Sequence, residues 1–235
     1  MSSPVNYTFS DKISEIVMDD GKVNAVSLAM VQALNQALDQ AEKDGGIVLL
    51  TGRPGIFSAG FHLKEIASSP ENMHALLRGG ATLAHRILSH PLPVVTACTG
   101  HAYPMGAFLM MAADFRYGVE GDFKIGMNEV AIGMTIPHFA LELARGRLTP
   151  AHFNRTAMTG EMFGPEEAVK AGFLDELTAP ADLRNKARAK CAQLTQIDLN
   201  AHKATKQRAR KQWLENIQTA TDDNLTLENA QASFG

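Results

Sequence analysis

Short apolar runs of strand character alternate along this chain with segments whose apolar residues recur at helical spacing. Ile47–Thr51 is a β-branched run typical of a buried strand, and residues 93–98 form a second one. Helical spacing extends over residues 28–41, with Ser27 as the N-cap and Gly45-Gly46 as the stop, and again over residues 73–88. This strand–helix–strand–helix order predicts an α/β fold in which helices cover a largely parallel sheet.

The two ends of the chain have different character. Residues 5–10 and 12–18 alternate between apolar and polar, which predicts two strands that meet at a tight turn. Towards the C-terminus the chain becomes helical and carries a basic cluster in residues 203–212. The last segment, residues 221–235, is polar with few apolar residues, and we expect it to be mobile unless a neighbouring subunit holds it.

Composition limits the classes of function. The 235 residues are 45% hydrophobic, enough for one domain with a full core, and a net charge of −3 gives no field that attracts nucleic acid. The most apolar stretch, residues 105–113, is too short for a bilayer, which takes about 20 residues. The first ten residues lack a leader pattern, and Cys98 and Cys191 are isolated. We therefore expect a cytoplasmic protein with no metal, membrane or nucleic-acid partner.

The first chemically suggestive stretch is residues 52–65. It leaves the strand Ile47–Thr51 through two glycines and a proline, which force a loop. Such a loop can aim backbone N–H groups into a pocket, where they stabilise an oxygen that gains negative charge. We predict that the N–H of Phe61, directly after Gly60, is one such donor.

The second stretch, residues 100–109, leads from a strand into an apolar helix, with Pro104 in the first helical turn. The first N–H groups of a helix have no internal partner and lie at the positive end of its dipole, so they favour a polarised oxygen. Met105 is the candidate for the second donor. Taken singly, each of the two stretches is better explained as an ordinary strand-to-helix turn.

The third stretch, residues 126–137, places Glu129 among mostly apolar neighbours. Burial would raise the pKa of this carboxyl and allow it to take and return a proton near neutral pH. The alternative is that Glu129 faces solvent or caps a neighbouring turn, which is the usual position of a lone glutamate.

Taken together, these stretches resemble the crotonase (enoyl-CoA hydratase/isomerase) superfamily, and among its members the enoyl-CoA isomerases. Residues 23–28 (Val-Asn-Ala-Val-Ser-Leu) are similar to that family's CoA-binding loop, and residues 53–60 to its first oxyanion-hole loop. Residues 126–129 (Gly-Met-Asn-Glu) resemble its catalytic-glutamate segment, and the likeness continues through residues 163–175. The resemblance implies a ββα spiral core over residues 1–180. A C-terminal helical oligomerisation region would follow over residues 181–235.

The resemblance also implies a substrate, an assembly and site roles. The substrate would be an acyl-CoA thioester, with no separate cofactor, and the assembly a homotrimer or a dimer of trimers. Glu129 would be the catalytic base, and Phe61 and Met105 the oxyanion donors. The residues expected to bind the CoA part are Lys22, Val23, Ala25, Ala59, Phe61, His62 and Leu63. Basic residues near the C-terminus would contact the CoA phosphates, although a solvated basic helix face is the alternative.

One departure from the family pattern favours isomerisation of a 3-enoyl-CoA to a trans-2-enoyl-CoA. Family hydratases orient water with two glutamates, and the position of the first is Phe108 here. His62 stands where many relatives carry aspartate, and we interpret it as a loop residue rather than a second base. Hydration or other thioester chemistry of the family remains an alternative, as does a non-catalytic acyl-CoA binder or scaffold. The acyl tail would lie in an apolar pocket, and the candidate lining residues, for which core packing is the alternative, are Met73, Leu76, Leu77, Met134 and Ile136.

Overall fold

Two β-sheets form the frame of the fold, which a computed structural model describes over residues 3–232. Numbered in chain order, the strands are β1 Val5–Ser10, β2 Ile13–Met18, β3 Ile47–Thr51, β4 Gly55–Ser58, β5 Val94–Cys98, β6 Gly100–Ala102, β7 Phe115–Val119, β8 Ile125–Gly126, β9 Met162–Phe163 and β10 Glu176–Thr178. The main sheet has the order β1-β2-β3-β5-β7-β10, antiparallel only between β1 and β2. The smaller sheet has the order β4-β6-β8-β9, antiparallel only between β8 and β9.

Helices cover the main sheet and build the C-terminal part of the chain. They are α1 Leu28–Asp44, α2 Leu63–Ile66, α3 Pro70–Ser89, α4 Pro104–Ala112, α5 His138–Arg145, α6 Pro150–Thr159, α7 Pro165–Ala171, α8 Leu183–Leu194, α9 Leu199–Ala209, α10 Lys211–Asn224 and α11 Leu227–Ala232. Within the described chain, none of them combines the length and the apolar character that spanning a membrane requires. The predicted α/β class and the largely parallel sheet are confirmed.

Local signals in the sequence place several elements correctly. Ser27 caps α1, because its side chain accepts a hydrogen bond from the N–H of Met30 at 3.1 Å. At the other end of α1, Gly45 adopts the left-handed conformation (φ 68°) that ends the helix, as its position predicted. The predicted hairpin of β1 and β2 also forms.

The core lies on both faces of the main sheet. On one face, α1, α3, α4 and α5 contribute apolar residues to a cluster that also contains the strand residues Ile16, Val48 and Leu50. On the other face, α8 buries Ala187 and Cys191 against a second set of strand residues. Both cysteines of the chain are free and buried, as the sequence predicted. The helix α8, which lies after residue 181, packs on the main sheet. The predicted domain division between residues 180 and 181 stays a prediction.

The prediction for residues 221–235 was wrong over the part that the structure describes. This segment continues α10 and adds α11, which packs against α3, with Leu225 and Ala230 buried at 7% and 6% exposure. Residues 233–235 lie outside the described residues. The polar composition led to the wrong prediction because a helix that packs against another helix needs only a narrow stripe of buried residues, and the rest of its surface can be polar.

A buried charge cluster joins α9 to the main sheet. Asp114, directly before β7, accepts hydrogen bonds from the N–H of Val94 at 2.7 Å and from Nζ of Lys206 at 2.7 Å. Its other carboxylate oxygen lies 2.8 Å from a guanidinium nitrogen of Arg210. Burial lowers the pKa of Lys206, although Asp114 opposes that change. Lys206 and Arg210 are thus engaged within the protein, which takes them out of the basic set expected to meet the CoA phosphates.

Candidate active site

The candidate site is built from three segments, each of which follows one of three neighbouring parallel strands of the smaller sheet. β4 leads into the loop that contains Phe61, β6 leads through Tyr103 into α4, and β8 leads to Glu129. The corresponding ends of parallel strands meet at one edge of a sheet, so these segments converge although they are far apart in sequence. Within the loop predicted after Ile47–Thr51, the structure forms the paired strand β4, which the sequence interpretation missed.

The first loop is fastened to the segment before α1. The N–H of Ala59 donates to the carbonyl of Val23 at 3.0 Å, and the N–H of Val26 donates to the carbonyl of Gly60 at 2.7 Å. The N–H of His62 donates to the carbonyl of Val26 at 3.0 Å. The structure therefore brings together the two segments expected to bind CoA, with their backbones aligned as a short parallel bridge.

Two residues that the sequence interpretation missed shape this segment. Asp20 accepts hydrogen bonds from the N–H groups of Lys22, Asn24 and Ala25 at 2.7–3.0 Å. Burial opposes ionisation of Asp20, but these donors lower the pKa of its carboxyl. Asn24 is fully buried with a positive φ of 52°, and its amide donates to the carbonyls of Met18 and Phe57. Asp20 followed by Gly21 is a turn signal that could have identified this loop, since an Asp side chain often bonds the backbone two residues on.

The expected CoA-binding residues surround this junction with different exposures. Lys22, Val23 and Leu63 are exposed, whereas Ala25 and His62 are half-buried. His62 caps α2, since its Nδ1 accepts a hydrogen bond from the N–H of Glu65 at 3.2 Å. Exposed apolar side chains such as Val23 and Leu63 are available to a ligand that lies along the junction, and their contact with CoA stays a prediction.

The two expected oxyanion donors lie on adjacent turns. A side-chain carbon added at Gly60 would lie 3.6 Å from the backbone nitrogen of Met105. Gly60 has a φ of 89°, a conformation that other residues adopt only with strain, and this kink directs the chain into Phe61. Gly106 permits the close approach of α4 to the first loop, because a side-chain carbon there would lie 2.8 Å from Cβ of Ser58.

Both donor N–H groups are left free by the local geometry. The neighbours of Phe61 make the hydrogen bonds to Val26, so the Phe61 N–H itself donates none within the described chain. In α4 the helical ladder starts with the N–H of Ala107, which donates to the carbonyl of Tyr103 at 2.9 Å. The N–H of Met105 precedes that ladder and is likewise unpaired among the described residues. Two unpaired donors at neighbouring turns can bind one oxygen.

Glu129 is buried, at 6% exposure, in a turn that fixes its backbone. Its carbonyl accepts hydrogen bonds from the N–H groups of Ile132 at 3.0 Å and Met134 at 2.8 Å. Burial raises the pKa of the Glu129 carboxyl from its ordinary 4.5 to about 7, and a backbone hydrogen bond opposes part of that rise. In the described part of the chain, its Oε2 has no hydrogen-bond partner. A buried carboxyl with one unpaired oxygen and a pKa near neutrality is suited to proton transfer.

A cavity of about 320 Å³ joins these features. Its lining includes Gly60, Phe61 and Pro104 from the two turns, together with Glu129. The structure thus excludes the alternative in which Glu129 faces solvent. Within residues 3–232 no group of three or more His, Cys, Asp or Glu side chains is arranged to hold a metal ion.

The expected acyl-tail residues divide into two groups. Met73, Leu77 and Met134 line this cavity, as predicted. Leu76 belongs to the core instead, with 0% exposure, and Ile136 lines a neighbouring cavity. Leu76 was misassigned because positions next to one another on a helix point about 100° apart, so Leu76 and Leu77 do not share a face.

Phe108, the position of the first glutamate in hydratases, lies in the core. It is 1% exposed, and its ring packs edge-on against Phe139 with centroids 5.8 Å apart. Phe108 does not line the cavity. Glu129 is the one carboxyl in the cavity lining within the described chain.

Comparison with known proteins gives the family context of this site. The sequence profile of the enoyl-CoA hydratase/isomerase family matches residues 8–233. The rat mitochondrial protein enoyl-CoA delta isomerase 1 (Rattus norvegicus) is 28% identical over 208 residues, which cover 86% of this chain and 69% of that protein.

Solved structures agree with the profile. A Mycobacterium tuberculosis structure described as an enoyl-CoA isomerase is 45% identical with a TM-score of 0.89, covering 94% of this chain and 97% of that one. Another structure of the same protein is described as a probable enoyl-CoA hydratase. A Mycobacterium ulcerans structure described as an enoyl-CoA hydratase is 41% identical with a TM-score of 0.91, covering 99% and 100%. Similar proteins therefore include both isomerases and hydratases. With a profile match across almost its whole length and a crotonase-like fold, the chain belongs to the enoyl-CoA hydratase/isomerase family of acyl-CoA enzymes.

Proposed function

We propose that this enzyme shifts the double bond of a 3-enoyl-CoA to the trans-2 position, with Glu129 as the single proton carrier. Glu129 removes a proton from carbon 2 of the acyl chain, and the electrons delocalise into a dienolate whose charge rests on the thioester oxygen. The N–H groups of Phe61 and Met105 hold that oxygen. The protonated Glu129 then returns the proton to carbon 4, which leaves the carboxylate ready for another turnover.

One observation carries this proposal: Glu129 is a lone carboxyl in the cavity lining of the described chain, and its Oε2 lacks a partner. A pKa near 7 suits both halves of the reaction, because the same group must accept and donate a proton at similar pH. Hydration needs a second group to orient water, and the position that carries it in relatives is the core residue Phe108. The rat relative described as an isomerase supports the same activity, whereas the M. tuberculosis relative carries both descriptions and does not separate the two.

The oxyanion donors contribute the stabilisation that a carboxylate alone does not provide. Removing one donor of this kind typically costs about 10²–10³-fold in rate. Removing a general base costs about 10²–10⁴-fold. Since the two contributions are comparable, the proposal requires both the turns at Phe61 and Met105 and the carboxyl of Glu129.

The direct test is incubation of the purified protein with a trans-3-enoyl-CoA and detection of the trans-2 isomer. We expect turnover in the wild type and its loss in Glu129→Gln, with acyl-CoA affinity retained in both. Glu120→Gln is a matched control, because Glu120 is an exposed glutamate outside the cavity. Binding of the CoA ester without turnover would instead favour a non-catalytic acyl-CoA binder.

Hydration is the second candidate, and the M. ulcerans relative described as a hydratase favours it. The half-buried Asn128 and Tyr103 line the cavity and are the polar side chains nearest in sequence to the proposed base and donor. Incubation with a trans-2-enoyl-CoA and detection of the 3-hydroxyacyl product separates the two activities. Hydration that is faster than isomerisation would assign the enzyme to the hydratases.

We propose further that the enzyme acts in the cytoplasm as a homotrimer or a dimer of trimers and needs no separate cofactor. The proposed chemistry uses only a carboxyl and two backbone donors. The exposed apolar residues Val130 and Ile132, in the turn beside α6, are candidate subunit contacts, as is Met158 on α6. Light scattering on the purified protein gives the mass, and a monomer would contradict this assembly.

A further inference from the structure

A second cavity, of about 180 Å³, adjoins the first. The two cavities share four lining residues, Met73, Leu77, Thr135 and Pro137. Met73 and Leu77 stand one helical turn apart on α3, so they present one continuous face to both cavities. The boundary between the cavities is therefore formed by side chains rather than by backbone alone.

The second cavity has an apolar floor and a more polar mouth. Ile136, Leu225 and Ala230 line it and are 4%, 7% and 6% exposed, so they form its interior end. Thr135 and His138 also line it but are exposed, so they lie towards solvent. Leu225 and Ala230 belong to the end of α10 and to α11, the segment that packs against α3. The C-terminal helices thereby close the cavity with residues of the same chain.

Met73 is suited to act as a movable divider. Methionine has no branch and three rotatable side-chain bonds, so it changes shape at low cost. It is half-buried and packs against the main core. A chain that entered from the first cavity could displace its thioether and continue along Leu77 towards Ala230.

We propose that the second cavity receives the distal carbons of the acyl chain, which makes this protein specific for medium- and long-chain acyl-CoA esters. Ala230 and Leu225 then set the upper limit of chain length. An apolar cavity of about 150 Å³ accommodates benzene, and because polar residues such as His74, His138 and Asn224 line part of this one, it holds at most about six carbons beyond those in the first cavity. This inference rests on the proposed function, since it takes an acyl-CoA ester as the ligand.

Saturated acyl-CoA esters of graded length test the inference without requiring turnover. Each methylene that enters an apolar cavity contributes about 0.8 kcal/mol, which is roughly a fourfold gain in affinity. We expect affinity, measured by calorimetry, to rise over at most about six carbons after the first cavity is filled and then to level off. A plateau reached by the shortest esters, or affinity independent of chain length, would overturn the inference.

Ala230→Leu fills the second cavity and is the decisive variant. Excluding two methylenes predicts roughly a fifteenfold fall in the affinity ratio of long to short esters. Ala232→Leu is the matched control, because Ala232 lies on α11 but is exposed and lines neither cavity. An unchanged ratio in Ala230→Leu would overturn the inference, as would an equal change in the control.

Met73→Ala gives an independent reading of opposite sign if Ala230→Leu does not fold. It opens the divider, so the ratio of long- to short-chain affinity should rise severalfold, and a fall would count against the second cavity as the tail site. The two proposals fail separately. Chain-length-dependent binding without any isomerisation refutes the proposed reaction and leaves the tail site standing, whereas isomerisation without chain-length dependence does the reverse.

Discussion

Replacing Glu129 by glutamine should make the enzyme inactive and, at alkaline pH, more stable. Burial raises the pKa of this carboxyl from 4.5 to about 7, so its ionised form is disfavoured in the folded state. One pKa unit corresponds to about 1.4 kcal/mol, so the ionised carboxylate destabilises the fold by about 3 kcal/mol above pH 7. The amide of Glu129→Gln is nearly isosteric and cannot ionise.

The sign of the pH dependence follows from proton binding. From about pH 4.5 to about pH 7 the folded protein keeps a proton that the unfolded chain has released, so stability is lost as pH rises through that window. Glu129→Gln removes this loss. Its stability relative to the wild type should therefore increase by about 2.5 kcal/mol from about pH 5 to about pH 8, roughly 5–10 °C in melting temperature.

Two assays read the same variant. Thermal unfolding at the two pH values measures the stability difference, and comparing them cancels the pH-independent cost of burying an amide. Isomerisation should fall by about 10²–10⁴-fold in the variant. In the wild type, activity should decline about tenfold per pH unit below about pH 7. Equal stability of the two proteins at both pH values would refute the raised pKa, and retained turnover would refute Glu129 as the base.

Gly60→Ala should lower turnover more than tenfold, because a non-glycine residue at φ 89° costs roughly 1–2 kcal/mol and displaces the Phe61 N–H. Gly45→Ala, at φ 68° in the α1 cap, should lose similar stability in urea denaturation but keep its turnover. Phe108→Glu should lower the free energy of unfolding by about 3 kcal/mol or more, because it buries a charge in the core. It should gain no hydratase activity in a product assay, because position 108 does not line the cavity. Asp114→Asn should lower the free energy of unfolding, measured by urea denaturation, by about 3–5 kcal/mol, because Lys206 loses its buried charged partner. Asp222→Asn, at a solvent-exposed pair, should cost far less stability than Asp114→Asn, and equal losses at the two aspartates would refute the argument.

The sequence predicts best where the signal is local. The cap at Ser27, the stop at Gly45 and the apolar strand Ile47–Thr51 each depend on residues within a few positions of one another, and each is confirmed. The free N–H of Met105 belongs to the same class, because a helix start leaves its first donors unpaired whatever packs around it.

The smaller sheet shows where local reasoning fails. β6 and β8 have three and two residues, too few for any periodic pattern to be recognised. Their pairing depends on partners far along the chain, as does the pairing of β4. The C-terminal segment was mispredicted for the same reason, because Ala230 is buried only through contact with another helix.

The sequence by itself determined four strands of the main sheet (β1, β2, β3 and β5), the helices α1 and α3, the identity of the candidate base and the family resemblance. Only the tertiary structure decided that Glu129 is buried with Oε2 unpaired among the described residues, that the turns at Gly60 and Met105 are adjacent, and that a second cavity adjoins the first. The physical reason is that burial and pKa depend on atoms brought close by chain reversal. Those atoms come from segments separated by many residues, and no window of sequence contains them together.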